Sequence, residues 1–234
     1  MPRKTAAITK ADKRSEPSKP IGARTRSKRR EQQRAKDTRL IILTHALAEF
    51  AERGFDGAVV RNIADRAAIR HPLITYHYKT KEQLWQAVAE HVWTTMRELM
   101  DANAPDDLPL SPRDRVRQEM KQLFRLTIMY PDFHHFMLRE SRPSNPRLTW
   151  LAENVQRPVY QRVVAHIRAA QEVGDMPQGD PTLVDYLMVG MISALTSLGD
   201  EIRVLSGLDT KSEEVIEAYW RLIEQVMFPK PFGR

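Results

Sequence analysis

The sequence predicts an all-α protein in which three short helices precede a larger helical domain. Apolar residues recur at the i, i+3, i+4 spacing of a helical face in successive stretches from Leu40 to Met227. Proline stands in the predicted first turn of several of these stretches, where a missing N–H costs little. The sequence has neither strand-like alternation nor a glycine-rich phosphate loop. With 234 residues and 41% hydrophobic content, the chain can bury a core.

Residues 1–36 form a basic segment that we expect to be disordered. They hold 13 Lys or Arg against three acids, a charge of +10, while the whole chain carries +7. Such a segment has too few bulky apolar residues to offset the entropy cost of ordering. Two interpretations remain open, an arm that lies along a phosphate backbone and a solubilising tail.

The first predicted helix begins after this segment and ends at Gly54. Its apolar face includes Leu40, Leu47 and Phe50, and Glu49 lies off that face. We expect Gly54 to be a left-handed cap, with Phe55 supplying the accompanying apolar contact.

Two short helices are predicted next. Val60, Ile63, Ala64 and Ala67 share a face of the second, and after a break at Ala68 the third runs from about His71 to Tyr78. This spacing is that of a helix-turn-helix. In the third helix Pro72 occupies the first turn, and Ile74 and Tyr78 are the expected inward residues.

The outer surface of these helices is predicted to be positive and rich in donors. Between Ala58 and Lys81 there are five Lys or Arg and one acid, a local charge of +4. Positive charge combined with hydroxyl, imidazole and phenol groups suits contacts with phosphates and base edges. The exposed residues are expected to be Arg70, His71, Leu73, Thr75, Tyr76 and His77.

The run AEFAERGFDGAVVRNIADRAAIRHPLITYHYKTKEQLWQAV, residues 48–88, resembles the N-terminal DNA-binding domain of TetR-family transcriptional regulators. The cap glycine, the Ile-Ala pair, Tyr-His-Tyr and Lys-Glu all occur at the separations usual in that family. The resemblance implies an all-α dimer with a three-helix DNA-binding head and a larger helical domain that binds an effector and dimerises.

The resemblance also implies roles for individual residues. Arg61, His71, Pro72 and Leu73 match positions that approach bases, and Tyr76, His77 and Lys81 match positions that contact phosphates. Arg70 and Thr75 lie on the same surface, where Arg70 could seek phosphate. For Tyr76 and His77 the alternative is a core position, and for Lys81 a charge pair with Glu82.

The sequence departs from the family pattern at the start of the second helix and in the turn. Ala58 and Val59 replace the usual Thr-Thr or Thr-Ser pair, so we expect Asp56 to cap the second helix instead. Ala68 stands where the turn glycine is usual. We expect an unusual operator preference to result.

Five further helices are predicted in the larger domain. The first two run from Ser111-Pro112 to Tyr130 and from Pro131 to about Ser141. The third runs from Leu148 to Val173, with a kink expected at Pro158. The fourth runs from Asp180-Pro181 to about Leu205, and the last begins at a capping box of Thr210 and Glu213 and ends at Met227. The last two are predicted to form a self-complementary interface across a two-fold axis, because Leu183, Leu187 and Gly190 leave an apolar stripe on the first of them.

The effector site is expected among large aromatic and Met side chains of the larger domain, since such side chains suit an organic ligand. Ordinary core packing is the alternative for each. We expect no metal site at the adjacent His134 and His135, and no cofactor. The candidate ligand-binding residues are Trp93, Met96, Phe124, Phe133, Met137, Trp150, Asn154 and Tyr160.

Together these features predict a ligand-responsive DNA-binding regulator, with a dimeric architectural DNA-binding protein as the alternative. The expected domains are a disordered arm at 1–36, the DNA-binding head at 37–83, and an effector-binding and dimerisation domain at 84–230. The expected partners are double-stranded operator DNA, a second copy of the chain and a small organic effector. The absence of cysteine, signal sequence and long apolar run predicts a cytoplasmic protein without a membrane span. No nucleophile and general base occur at a motif-like spacing, so nothing in the sequence indicates an enzyme.

Overall fold

The computed structural model of the protein describes residues 21–103, 105 and 108–229, with side chains from Arg29 onward. All regular structure in these residues is helical, as the sequence predicts. The chain divides into two compact units, Met1–Leu40 and Ile41–Arg234. The helices are α1 (Ile21–Gly57), α2 (Val60–Arg66), α3 (His71–His77), α4 (Lys81–Asn103), α5 (Pro112–Met129), α6 (Pro131–Glu140), α7 (Pro146–Leu151), a π-helical turn (Ala152–Gln156), α8 (Arg157–Glu172), α9 (Pro181–Ser197), α10 (Gly199–Ser206) and α11 (Glu213–Met227).

The first unit differs from the disorder expected for residues 1–36. Its backbone is helical from Ile21, while residues 1–20 lie outside the described part of the chain. The segment is rich in Arg, Lys, Gln and Ala, which favour helix, and Gln33 donates to Asp37 one turn later at 2.8 Å. The side chains from Arg29 to Asp37 are exposed, so this helical segment contributes charge and no core.

The break after the first helix falls at Gly54, as predicted, although its conformation differs from a left-handed α cap. Gly54 has φ 69° and ψ 174°. The positive φ favours glycine, but the ψ lies far from the left-handed helical value. One further turn then follows to Gly57, where α1 ends.

Proline and capping residues start the other helices largely where the sequence places them. The Ser111 hydroxyl accepts from the Asp114 N–H at 3.1 Å, and the Asp180 carboxylate accepts from the Thr182 N–H at 2.8 Å. For α11 the predicted cap is wrong, because the Ser212 hydroxyl and not that of Thr210 accepts from the Val215 N–H.

The predicted helix from Leu148 to Val173 is divided in the structure. A short α7 begins at Pro146, and a π-helical turn then separates it from α8. Pro158 has no N–H for the carbonyl of Asn154, and its ring would clash there in a regular helix. The wider π turn directly before Arg157 and Pro158 relieves that clash, so the predicted kink takes this form.

The predicted helix from Pro181 to Leu205 is also divided. The helices α9 and α10 meet at an angle of 61°, at Leu198 and Gly199. A Cβ built on Gly199 would lie 2.8 Å from Oγ1 of Thr210, so only glycine allows this close packing. A close contact with a later segment thus lies at the bend, which helical spacing alone does not show.

Buried side chains form two clusters within the second unit. The first joins the head to α4, α6 and α7 and is centred on Phe50, Trp85 and Phe136. The second is formed by α5, α8, α9 and α11 and includes Phe124, Ile167 and Trp220. Because α4 carries buried residues from Leu84 to Met100 in the first cluster, the three head helices share a core with the start of the larger domain.

No single helix among the described residues is long and apolar enough to cross a bilayer. Only α9 and α10 taken together, across their bend, reach that length and composition.

Ala68 offers a test of the turn geometry between α2 and α3. This exposed residue has φ 52°, a region in which a Cβ is unfavourable. We predict that Ala68→Gly raises the free energy of unfolding by about 1 kcal/mol, measured by urea denaturation. The control Ala165→Gly, at an exposed position inside α8, should lower it by about the same amount. Destabilisation by Ala68→Gly would contradict the positive φ.

Candidate DNA-binding site

The helix α3 presents most of its side chains to solvent. Only Ile74 is buried, with 1% of its surface exposed, whereas Tyr76 is 71% exposed. The core alternative for Tyr76 is therefore excluded. His77 is half-buried, with its ring 5.3 Å from that of Tyr76, and Tyr78 packs against the core as predicted. The exposed surface of α3 and its N-terminal flank consists of Arg70, His71, Pro72, Leu73, Thr75 and Tyr76.

The N-terminus of α2 is capped from a distant position in the sequence. Its N-cap residue, Val59, has no capping side chain, as the departure from the family pattern implies. The Glu49 carboxylate of α1 instead accepts from the Val59 N–H at 3.3 Å and from Nδ2 of Asn62 at 3.1 Å. Asp56 is exposed and makes no such contact, so the prediction that it caps α2 is wrong.

Glu49 is a residue of this site whose burial the helical spacing did not predict. It was expected off the apolar face, yet its side chain has 0% of its surface exposed. Besides the α2 cap it forms ion pairs with Arg53 at 3.3 Å and with Arg66, at the end of α2, at 3.5 Å. The sequence held one sign of this role, the missing hydroxyl at Ala58 and Val59. A helix N-terminus without its own capping side chain needs an acceptor from elsewhere in the chain.

Three of the cations counted in the local charge of +4 make contacts inside the protein, and one of them, Lys79, donates to the Tyr76 carbonyl at 3.3 Å. Arg66 also bonds to Glu52, and this contact lowers the pKa of the Glu52 carboxyl. The Lys81 ammonium donates to the carbonyls of Ala58 at 3.1 Å and Asp56 at 3.4 Å, and it lies over the Phe55 ring. The charge pair with Glu82, which the sequence left as the alternative, is not formed. Arg61 and Arg70 are exposed cations on the same surface.

The head is also held from the larger helical region. Arg139 of α6 donates from Nε to the Ala51 carbonyl and from Nη2 to the Glu52 carbonyl, both at 2.6 Å. These carbonyls belong to the last turn before Gly54, where helical acceptors lack intrahelical donors. Arg147 of α7 places its guanidinium 4.1 Å from the centre of the Phe55 ring. Movements of α6 and α7 are therefore mechanically connected to α1.

The predicted effector-binding side chains do not gather around one space. Trp93, Met96, Phe133, Met137 and Trp150 pack in the first hydrophobic cluster, with the rings of Trp93 and Phe133 in edge contact at 6.2 Å. Phe124 lies in the second cluster. The Tyr160 hydroxyl pairs with Thr182 at 2.9 Å, while Asn154 is exposed and donates to the Trp150 carbonyl.

Buried polar side chains lie on α5, α8 and α9, and their helical spacing did not predict them. Glu119 of α5 is 2% exposed and pairs with Arg162 and His166 of α8. Asp185 of α9 is 8% exposed, and its burial, together with the charge of Glu119, raises the pKa of its carboxyl to about 6. A single acid inside an apolar run was the only signal in the sequence.

His134 and His135 lie side by side on α6, with their ring centres 5.9 Å apart. Burial, followed by the effect of His135, lowers the pKa of His134 to about 4, and its Nε2 lies 2.7 Å from the Ser197 hydroxyl. Within the described part of the chain, no group of His, Cys, Asp and Glu has the arrangement of a metal site.

A surface cleft lies between the N-terminus of α5 and the C-terminus of α11. Its volume is about 600 Å³. Arg113 at its edge donates to the carbonyls of Phe228 and Pro229, and Arg117 pairs with Glu224. Two of its three arginines are thus already used in holding α5 to α11.

Residues 42–88 match the family model described as bacterial regulatory proteins, tetR family. Over 74 residues the chain is 39% identical to the HTH-type transcriptional repressor Rv3405c of Mycobacterium tuberculosis, a match that covers 32% of this chain. The match spans only 39% of that relative's length. A second relative, the HTH-type transcriptional repressor AcnR of Corynebacterium diphtheriae, is 24% identical over 186 residues, covering 74% of this chain and 89% of that protein.

The overall fold has a close match among solved structures. The crystal structure of AibR in complex with isovaleryl coenzyme A and operator DNA aligns with a TM-score of 0.67 at 17% identity, covering 82% of this chain and 98% of that chain. At this identity the similarity shows a shared fold. Residues 42–88 therefore match the helix-turn-helix segment of the tetR family, and the chain shares the fold of AibR.

Proposed function

We propose that the protein is a transcriptional repressor that binds a palindromic operator as a homodimer and is released by a small organic effector. Residues 37–83 contact DNA, and residues 84–230 bind the effector and dimerise. The surface of α3 is the observation that carries the proposal. A helix of two turns cannot fold alone, and this one is held by Ile74 while His71, Leu73 and Tyr76 are exposed to solvent.

The proposed base contacts come from the starts of α2 and α3. Arg61 in the first turn of α2 and His71 at the first residue of α3 are both exposed, and Pro72 and Leu73 lie beside His71. Arg70, Thr75, Tyr76 and His77 offer charge and hydrogen-bond donors for phosphates. Lys81 reaches phosphate only if it releases the carbonyls of Asp56 and Ala58, so we assign it a smaller role.

The proposed dimer interface is the exposed apolar face of α9 and α11. Leu183, Leu187, Leu222 and Val226 are all more than half exposed on these adjacent helices. An apolar patch of this kind on a single chain marks an association surface. Two-fold pairing would also place two α3 helices for successive half-sites of a palindrome, about 34–36 Å apart or a multiple of it.

Effector control is supported by the contacts between the head and the larger region. AibR carries both isovaleryl coenzyme A and operator DNA in one crystal structure, so this fold accommodates both kinds of ligand. In the present chain Arg139 joins α6 to the end of α1, which provides a physical route by which a ligand could bias the position of the head. The effector is proposed to contact Trp93, Met96, Phe124, Phe133, Met137, Trp150, Asn154 and Tyr160, which requires rearrangement of their present packing.

The alternative is an architectural DNA-binding protein whose larger domain only dimerises. Selection of binding sites from random DNA, repeated with candidate metabolites, separates the two. A repressor should yield a palindromic consensus whose binding is released by a metabolite that also raises the melting temperature of the protein. Binding with weak sequence preference and no release would favour the architectural protein.

We predict that Arg61→Ala and His71→Ala each weaken operator binding by about 1–3 kcal/mol and relax the base preference at one position of each half-site. Fluorescence anisotropy and site selection measure the two effects. Arg168→Ala removes an exposed arginine of α8 and should leave both unchanged. If both variants select the same sequences as the wild type, the proposed base contacts of Arg61 and His71 are wrong.

We predict that Gly190→Arg converts the dimer to a monomer and abolishes tight operator binding. A Cβ at Gly190 meets nothing within 4 Å, so the protomer accepts the side chain, and replacing a mid-helix glycine favours helix. Light scattering after gel filtration measures the mass, and circular dichroism should show unchanged helix content. Val173→Arg, at an exposed apolar residue after α8, is the control and should stay dimeric. A dimeric Gly190→Arg protein with normal operator binding would place the interface elsewhere.

A further inference from the structure

The N-terminal part of α1 carries positive charge that the fold does not use. All of its cations with described side chains are exposed, and none forms an ion pair with a described residue. The buried side chains of α1 begin only at Ile42. The cations are therefore free to meet a partner outside the protein. They are Arg29, Arg30, Arg34, Lys36 and Arg39.

The helical conformation places three of these cations in one row. Residues three, four and seven apart lie on the same side of an α-helix. Lys36 follows Arg29 by seven residues, and Arg39 follows Lys36 by three. The exposed amide of Gln32 falls in the same row, which contains no acid. We call this row the basic face and define it by Arg29, Gln32, Lys36 and Arg39.

The other two cations lie among acids. Arg30 and Arg34 are four residues apart and share the opposite side of the helix. Glu31 precedes Arg34 by three residues and Asp37 follows it by three, so both carboxylates border that side. Two cations and two acids cancel there. The net positive charge of this part of α1 is therefore concentrated on the basic face.

The basic face is long enough to meet several phosphates of a nucleic acid. A helix rises about 1.5 Å per residue, so the distance along the axis from Arg29 to Arg39 is about 15 Å. One strand of double-stranded DNA carries a phosphate about every 3.4 Å along the duplex axis, so about four phosphates lie within that length. Arg and Lys side chains neutralise phosphates, and the Gln32 amide can donate to phosphate oxygens.

We propose that the basic face of α1 binds the phosphate backbone of double-stranded DNA and adds affinity without reading sequence. This inference goes beyond the proposed function, which assigns the DNA contacts to residues 37–83, and it rests on that function for the choice of DNA as the partner. Arg39 precedes Ile42, where the buried part of α1 begins, by only three residues. The basic face is therefore continuous in the chain with the proposed DNA-binding head. A solubilising segment is the alternative.

The first experiment compares two double variants of the full chain that lose the same charge. The basic-face variant combines Arg29→Gln and Lys36→Gln, and the opposite-side variant combines Arg30→Gln and Arg34→Gln. All four positions are exposed, and Gln has nearly the helix propensity of Arg and Lys. Both variants should therefore keep the circular dichroism spectrum and the melting temperature of the wild type.

Binding to a labelled duplex of arbitrary sequence is measured by fluorescence anisotropy between about 0.05 and 0.2 M salt, the range over which phosphate contacts change affinity strongly. Each phosphate contact contributes about 0.9 to the slope of log affinity against log salt. We expect the basic-face variant to flatten the slope by about 1.8 and to bind at least about tenfold more weakly at about 0.1 M salt. The slope of the opposite-side variant should change by less than about 0.5.

Three outcomes would overturn the proposal. The wild type could fail to bind the duplex, or the basic-face variant could keep the wild-type slope, as a solubilising segment requires. Equal losses for both double variants would show that affinity follows net charge and not the basic face.

The second experiment separates phosphate contacts from base contacts. The basic-face variant should lose the same factor of affinity on the selected operator and on a scrambled duplex of the same length, because phosphates carry no sequence information. Site selection with this variant should return the wild-type consensus, whereas Arg61→Ala is expected to relax it. A changed consensus for the basic-face variant would contradict binding through phosphates.

The two proposals can fail separately. If an operator is selected and the basic-face variant keeps the wild-type salt slope, the basic face is not a DNA contact and the repressor proposal stands. If no operator is selected, the repressor proposal fails, whereas the duplex of arbitrary sequence still decides whether the basic face binds DNA.

Discussion

The position of α3 depends on one buried carboxylate. Glu49 receives the backbone N–H at the start of α2 and is paired with Arg66 at the end of that helix, so both ends of α2 are tied to α1. A carboxylate with no exposed surface is tolerated only while its partners remain in place. The short α3 packs on α2 and has little packing of its own besides Ile74. The position of the surface that α3 is proposed to present to DNA therefore depends on Glu49.

The same end of α1 is held from the other side by the larger helical region. Arg139 bonds two carbonyls one turn after Glu49, and Arg147 lies against Phe55 just beyond the break at Gly54. These contacts all fall within a short segment around Gly54, from Ala51 to Phe55. A shift of α6 or α7 would thus reach α1 and, through Glu49, the helices α2 and α3. Such a connection is what the proposed effector control requires, because coupling needs two arrangements that both sites can bias.

Local patterns in the sequence predicted much of this architecture. Gly54, Pro72, Ser111 and Asp180 mark helix ends through backbone chemistry that acts within a few residues, and the structure confirms their positions. The inward position of Ile74 follows from helical spacing in the same way. The exposed surface of α3 was predicted for the same reason, with His77 the partial exception.

The features that were missed depend on contacts between distant segments. Glu49 is buried where it contacts Val59, Asn62 and Arg66, and Thr210 approaches Gly199 closely at the bend between α9 and α10. The division of the predicted helix near Pro158 needed a π turn that spacing does not specify. The buried Glu119 of α5 pairs with Arg162 and His166 of α8. The helix in residues 21–36 reflects local helix propensity, which the charge argument for disorder underestimated.

The most direct test of this account is the operator affinity of Glu49→Gln at a temperature where circular dichroism shows both proteins folded. Glutamine keeps the size and one acceptor but loses the charge that holds Arg53 and Arg66. The account predicts operator binding about tenfold weaker than wild type, with little change for Glu52→Gln, whose carboxylate is exposed. Equal operator affinity of Glu49→Gln and wild type would contradict the claim that Glu49 sets the position of α3.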